Sequence, residues 1–375
     1  MTKTAPSTQP WRKTPLIESS ALSRAAGCKV FLKLDNLQPA GSFKSRGIGN
    51  YLLARLRERG DDPDIHFYSS SGGNAGLACV TAAQDLGHPA TVVVPMSTKP
   101  MMIAKIRVAG ATDVIQHGAS WAEADRFLRE EILTRDTKGV YVPPFDHPDI
   151  WKGNSTIVDE IAADFRDSHG AQDHARDAKT VQAEKPDAII CSVGGGGLFI
   201  GIMQGLERHG WSPDVSVVAV ETAGADSLAS ALDANELVTL TGITSIATSL
   251  GATRVAEKAF ELGQLGRENV QNNVKSLVLS DAEAAMGSWR LADDERLLVE
   301  AACGVSVAVC YNGKRLKQLL PHLTPESKVV LVVCGGSNIT VEGLAEYRRV
   351  YGPLVDKLGA ADDEMVPSSV TAPRG

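Results

Sequence analysis

No stretch of this chain approaches eighteen consecutive apolar residues, so no membrane-spanning helix is expected. No CxxC pair occurs among the six cysteines, Cys28, Cys79, Cys191, Cys303, Cys310 and Cys334, which argues against a zinc site. Most of them lie in apolar runs and suit buried free thiols in a reducing compartment, so a cytoplasmic location is the expectation. The eight histidines form neither an HxxxH nor an HExxH pattern, and a metalloenzyme reading has little support. The first residues, Met1-Thr2-Lys3-Thr4-Ala5-Pro6, lack the apolar core of a signal peptide. Positive charge is in deficit: 38 Lys and Arg stand against 45 Asp and Glu, a net charge of −7. That argues against general affinity for nucleic acid and otherwise reports solubility. No internal repeat, heptad array or low-complexity block is present.

What is present begins with length. A chain of 375 residues exceeds what one compact core usually holds, so two domains are expected. Hydrophobic residues make up 43% and charged residues 22%, the proportions of an ordinary globular protein. Apolar and β-branched runs predict strands over 30–35, 66–70, 90–95, 111–116, 187–192, 215–220, 277–279 and 328–333. Helical spacing predicts helices over 19–26, 50–59, 75–86, 99–109, 119–134, 150–165, 198–208, 281–292 and 299–320. Alternating strands and helices imply doubly wound α/β architecture, with ligands beyond the carboxyl ends of the strands. The stretch 167–186 is polar and aperiodic and reads as a surface insertion, and 360–375 reads as a tail. Pro143-Pro144-Phe145-Asp146-His147-Pro148 reads as a crossing between domains.

Four motifs follow strand-like runs: Gly41-Ser42-Phe43-Lys44, Ser71-Gly72-Gly73-Asn74, Gly194-Gly195-Gly196-Gly197-Leu198 and Cys334-Gly335-Gly336. Four consecutive glycines at a helix start expose backbone N–H groups beside the positive end of the helix dipole, which is an anion site. A tight turn alone needs only one. A dinucleotide fingerprint fails, because G-x-G-x-x-G from Gly194 meets Phe199 and from Gly195 meets Ile200. A Walker loop fails because Phe43, not glycine, precedes Lys44. A single phosphate monoester fits better. Lys44 stands at a loop-to-helix boundary, where a lone lysine is ordinarily a solvated first-turn residue; the three other motifs favour a reactive amine beside a phosphate.

Together and in this order, the motifs resemble those of the fold-type II pyridoxal-phosphate (PLP) enzymes. Within that group the chain is similar to the eukaryotic catabolic L-serine/L-threonine dehydratases, from about Thr14 to about Tyr351. The resemblance implies a tryptophan synthase β-like fold of two doubly wound α/β domains with PLP in the cleft between them. The large domain would comprise 1–41 and 148–359, the small one 42–147. It implies that Lys44 binds PLP covalently and serves as the base, with Phe43 against the ring face. Gly194, Gly195, Gly196, Gly197 and Leu198 would hold the phosphate, Asn74 the ring's 3-oxygen, and Cys334 would face the pyridine nitrogen as a weakly hydrogen-bonding neutral thiol. Ser71, Gly72 and Asn74 would hold the substrate carboxylate, and glycine at 72, where relatives carry Ala or Gly, bears on the choice between serine and threonine. Glu221 and Ala225, with the backbone of Gly194, Leu250 and Ala252, would surround a monovalent cation, potassium. Plainer readings stand beside these: Phe43 as a core aromatic, Cys334 as a core thiol, Glu221 as a strand-end carboxylate, Ser69 and Ser70 as strand-end polar residues. The implied reaction removes water and ammonia from L-serine to give pyruvate, and from L-threonine to give 2-oxobutanoate. The partners implied are a small amino-acid substrate and a second copy of the chain. The alternatives are another PLP reaction (β-replacement, racemisation, threonine synthesis) or a non-catalytic PLP or amino-acid binding protein.

Overall fold

A computed structural model describes residues 9–170, 184–268 and 273–364. Among the described residues ten strands form two sheets. They are β1 (Leu16–Glu18), β2 (Lys29–Lys33), β3 (His66–Ser69), β4 (Ala90–Val94), β5 (Asp113–Gln116), β6 (Gly139–Tyr141), β7 (Ala188–Ser192), β8 (Ser216–Thr222), β9 (Val274–Leu279) and β10 (Lys328–Val332). The larger sheet runs β1-β2-β10-β7-β8-β9, parallel except for β1, which pairs antiparallel with β2 at the edge. The smaller sheet runs β5-β4-β3-β6 and is wholly parallel. Every residue of β4, β7 and β8 is buried, as expected of parallel strands covered by helices on both faces. Among the described residues no helix is long and apolar enough to cross a membrane.

Several expected boundaries shift, each for a local reason. The helix expected from residue 50 begins at Lys44 and runs Lys44–Glu58, so the lysine occupies its first turn. Strand β8 continues through Glu221 to Thr222, which places Glu221 inside the sheet and not at its end. The helix expected over 299–320 is two, Ala301–Tyr311 and Gly313–Leu319; Asn312 breaks it and its side chain accepts the Arg315 N–H at 3.0 Å, capping the second. The segment 119–134 opens as an α-helix, Trp121–Phe127, and continues through a π turn and a 3₁₀ turn. Strands β1 and β6 and the helices Ser227–Ala234, Glu257–Glu268 and Val341–Glu364 were not expected. Residues 167–170 of the expected insertion are the end of the helix Pro148–Gly170, and 360–364 of the expected tail are the end of Val341–Glu364. Positions 171–183 and 365–375 lie outside the described residues, as do 1–8.

The helix bearing Lys44 is tied down two residues later. The Arg46 guanidinium is fully buried and forks onto two carboxylates. Its Nε and Nη2 reach Asp35 at 2.7 Å each, while Nη1 and Nη2 reach Glu160 at 2.5 and 2.8 Å. Lys33 Nζ, also fully buried, adds a 2.8 Å contact to Glu160. Asp35 follows β2 and Glu160 lies on the helix Pro148–Gly170, so one charged cluster anchors the lysine's helix to both.

Candidate active site

Four adjacent parallel strands, β2, β10, β7 and β8, point the same way, so the loops that leave their carboxyl ends gather at one end of the sheet. The loop after β2 and the loop after β10 are bonded directly. Phe43 N–H donates to the Cys334 carbonyl at 3.1 Å, Gly336 N–H to the Gly41 carbonyl at 2.9 Å, and Ser42 bridges Gly335. Lys44 and Cys334 are thereby held side by side.

The Lys44 amine is enclosed. It donates to the Pro144 carbonyl at 2.7 Å and lies 5.3 and 5.8 Å from the ring centroids of Phe43 and Phe145. Burial disfavours its ammonium form and lowers its pKa to about 8, against a smaller opposing effect of Cys334. A lysine in that range is a usable nucleophile and base at physiological pH.

The glycine run leads from β7 into the helix Gly197–Arg208. The first-turn N–H groups of such a helix have no helical acceptor and attract an anion. Gly196 takes φ +92°, which a side chain would strain. A Cβ on Gly195 would come within 2.3 Å of the Phe145 ring, and one on Gly197 within 2.6 Å of the Phe145 carbonyl. The run is therefore pressed against the 143–148 crossing, whose Pro144 carbonyl holds Lys44. The four glycines answer to protein packing as well as to a ligand.

Asn74 opens the helix Asn74–Leu86. Its Nδ2 donates to Glu300 Oε1 at 2.9 Å and to Ser249 Oγ at 3.3 Å, and its Oδ1 accepts from Ser337 N–H at 2.9 Å. Ser71 Oγ accepts from Gly73 N–H at 3.3 Å, bracing the same turn. A Cβ on Gly72 would lie 2.7 Å from Thr98 Cγ2 and 3.2 Å from Val94 Cγ1. The space a glycine leaves at 72 is thus closed by Thr98. Ser70 Oγ donates to Asp125 at 2.6 Å, a structural bond.

The Cys334 thiol is buried, with Sγ 3.4 Å from Ser192 Oγ. Hydrogen bonding from Cys303 and from Ser192 draws it below the ordinary thiol range, against desolvation. Cys334 is thus one member of a Ser192–Cys303–Cys334 group.

Glu221 is fully buried in β8, and both its oxygens accept N–H bonds from the next helix, Leu228 at 2.9 Å and Ala229 at 2.8 Å. Burial raises its pKa to about 8 despite those bonds. Gly194 lies against Leu250, with a Cβ there 3.0 Å from Leu250 Cα; Ala252 N–H donates to the Leu250 carbonyl at 2.7 Å. Ala225 N–H closes a turn onto the Thr222 carbonyl at 2.9 Å.

An enclosed amine of lowered pKa, a helix start rich in free N–H groups, an oriented amide and a buried thiol suit a phosphorylated aldehyde with an aromatic nitrogen ring. The chain matches the family described as "Pyridoxal-phosphate dependent enzyme" over residues 7–335. This chain belongs to that family. Among PLP-dependent enzymes it is 41% identical to an L-serine dehydratase of Saccharomyces cerevisiae, over 88% of this chain and 95% of the yeast one. It is 41% identical to the L-serine dehydratase/L-threonine deaminase of Bos taurus, over 91% of this chain and 95% of the bovine one. Its fold superposes on a fungal L-serine ammonia-lyase from Rhizomucor miehei with TM-score 0.80 at 37% identity, covering 92% of this chain and all of the other. In this PLP-dependent enzyme, Pro144, Phe145, Ser192, Cys303 and Glu300 surround the motifs without belonging to any of them. No short pattern marks them, because each reaches the site through the fold.

Proposed function

We propose that this chain deaminates L-serine to pyruvate and ammonia and L-threonine to 2-oxobutanoate. The observation that carries the reading is the Lys44 amine, enclosed between two aromatic rings with its pKa lowered to about 8, beside the anion-binding helix start. The relatives named above add weight to dehydration within the family.

PLP, held by Lys44, by the N–H groups of 194–198 and by Asn74, supplies an electron sink for the charge left at the substrate α-carbon. The chain's own residues supply positioning and proton transfer. The N–H groups opening the helix at Asn74, with the Ser71 hydroxyl, would take the substrate carboxylate. Lys44 Nζ, once free of the cofactor, takes the α-proton. The same nitrogen can return a proton to the β-oxygen, so that water leaves and not hydroxide. Phe43 and Phe145 limit water at the amine. Loss of water and uptake of water at the resulting imine balance, leaving pyruvate and ammonia. The test is L-serine added to the PLP-loaded protein with pyruvate measured. Pyruvate at catalytic rates is expected. A visible cofactor band that serine perturbs without pyruvate would overturn dehydration and turn the reading to replacement or racemisation.

Potassium beside Glu221 belongs to the same proposal. Its support is a buried carboxylate whose proton affinity is raised, followed directly by the turn at 222–225, with the 250–252 turn packed against Gly194. With the folded pKa near 8 and an unfolded value near 4.5, the carboxyl favours folding at acid pH. That contribution is lost progressively as pH rises from 4.5 to 8. A cation at the ionised group offsets the loss. Potassium is therefore expected to raise the melting temperature over lithium markedly at pH 8 and hardly at pH 5, and Glu221→Gln to abolish the difference. An equal potassium effect at both pH values would sink the assignment. A homodimer in the cytoplasm completes the proposal; the compartment is supported by six free, buried cysteines and the dimer by the family resemblance.

A further inference from the structure

Glu300 is a buried carboxylate that the reaction outlined above does not use. It precedes the helix Ala301–Tyr311, and its main chain is fixed on both sides. Its N–H donates to the Gly335 carbonyl at 3.4 Å, and its carbonyl accepts from Ser288 Oγ at 3.0 Å and Gly304 N–H at 2.8 Å. The side chain presses on Gly336, where a Cβ would come within 2.3 Å of Glu300 Cδ. Its Oε1 accepts two bonds, from Asn74 Nδ2 at 2.9 Å and from Asn338 N–H at 2.7 Å.

These contacts settle which way the Asn74 amide faces. A carboxylate only accepts and a backbone N–H only donates. Asn74 gives one amide hydrogen to Glu300 and receives Ser337 N–H on its oxygen. Rotating the amide by half a turn would set oxygen against carboxylate and NH₂ against N–H, two repulsions at a half-buried position. The second amide hydrogen therefore has one direction available, and there it meets only the longer 3.3 Å contact to Ser249 Oγ. Asn74 follows β3 of the smaller sheet, whereas Glu300, Ser337 and Asn338 belong with the larger, so the same bonds span the two.

We infer that Glu300 is a positioning residue: it fixes the Asn74 amide so that one N–H is presented to the oxygen of the cofactor ring, and it latches the 71–74 turn to the 335–338 loop. This rests on the reading that Asn74 contacts the cofactor. Ser249 is the exchangeable partner and Glu300 the permanent one.

The test compares Asn74→Ala, Glu300→Ala, Glu300→Gln and the double variant Asn74→Ala/Glu300→Ala. Three quantities are measured: the PLP dissociation constant, the absorbance maximum of the bound cofactor, and amide hydrogen exchange at Ser337 and Asn338 in the cofactor-free protein. Glu300→Ala is expected to weaken PLP about tenfold, shift the absorbance maximum and speed exchange at Asn338, with the double variant no worse than the worse single one. Glu300→Gln keeps an accepting oxygen at the same place and is expected to recover most of the affinity. Should Glu300→Ala fail to fold, a Glu300→Gln protein with normal affinity but an absorbance maximum displaced in the same sense as Asn74→Ala would still support the role. Two results overturn it: additive losses in the double variant, or Glu300→Ala that melts earlier yet keeps the wild-type absorbance maximum and PLP affinity. If Asn74→Ala itself leaves affinity and absorbance unchanged, the fault lies with the contact between Asn74 and the cofactor, and the inference falls with it.

Discussion

Lys44→Ala should lower turnover of L-serine by roughly four orders of magnitude or more, since on the proposed reading it removes both the covalent anchor of PLP and the base. The visible band of lysine-bound cofactor should vanish as well. PLP itself should still bind, more weakly, because the helix start at Gly197 and the Asn74 amide remain. Absorbance scans with pyruvate assays check this, and normal turnover without added amine would refute the role of Lys44. The wild-type protein offers a companion measurement. With its pKa near 8, about a tenth of the Lys44 amine is neutral at pH 7 and half at pH 8. Covalent capture of PLP by the cofactor-free protein should accelerate with pH and level off above 8. A profile still climbing steeply at pH 10 would mean an amine exposed to water.

Arg46→Ala should cost the fold about 3–5 kcal/mol, the usual result of stranding a buried charge. It leaves Asp35 fully buried and Glu160 nearly so, each having lost two guanidinium bonds. Arg46→Lys should restore little, because an ammonium cannot fork onto both carboxylates. Pairing Arg46→Met with Asp35→Asn should cost less than the sum of the two single changes, since each removes the partner the other leaves exposed. Urea midpoints decide the matter, and an unchanged midpoint for Arg46→Ala would show the cluster to be of no consequence. The effect should reach the chemistry, because Arg46 sits half a turn beyond Lys44 and fixes the start of its helix.

The glycine run, the Lys44 loop and the turn at Ser71 could be read from the chain because each packs its chemistry into a few consecutive residues after an apolar strand. The fully buried strands were legible for the same reason: β4, β7 and β8 are unbroken apolar runs over most of their length. What escaped is non-local. Glu300 meets Asn74 across 226 positions, and Lys44 meets Pro144 across 100. Arg46 is fully buried, which nothing in its local sequence announces and only the folded position of Asp35 and Glu160 explains. Strands β1 and β6 are three residues each, too short for an alternating pattern to rise above chance. Asn312 broke an apolar helical run that gave no sign of a break beyond the Asn312-Gly313 pair.

Strand order carries a consequence for how the protein is made. Strands β3 to β6 lie in one continuous stretch, 66–141, and can pair as soon as that stretch leaves the ribosome. The larger sheet cannot close so early, because β10, its last strand in the chain, lies between β2 and β7. Until residues 328–332 are synthesised, the strands leading to Lys44 and to the glycine run flank an empty slot, with no strand between to join them. Pairing across so long a separation is slow and leaves strand edges open in the meantime. A nascent chain thus carries most of its motifs long before it can use them, and capture of PLP would mark the arrival of β10 in the larger sheet.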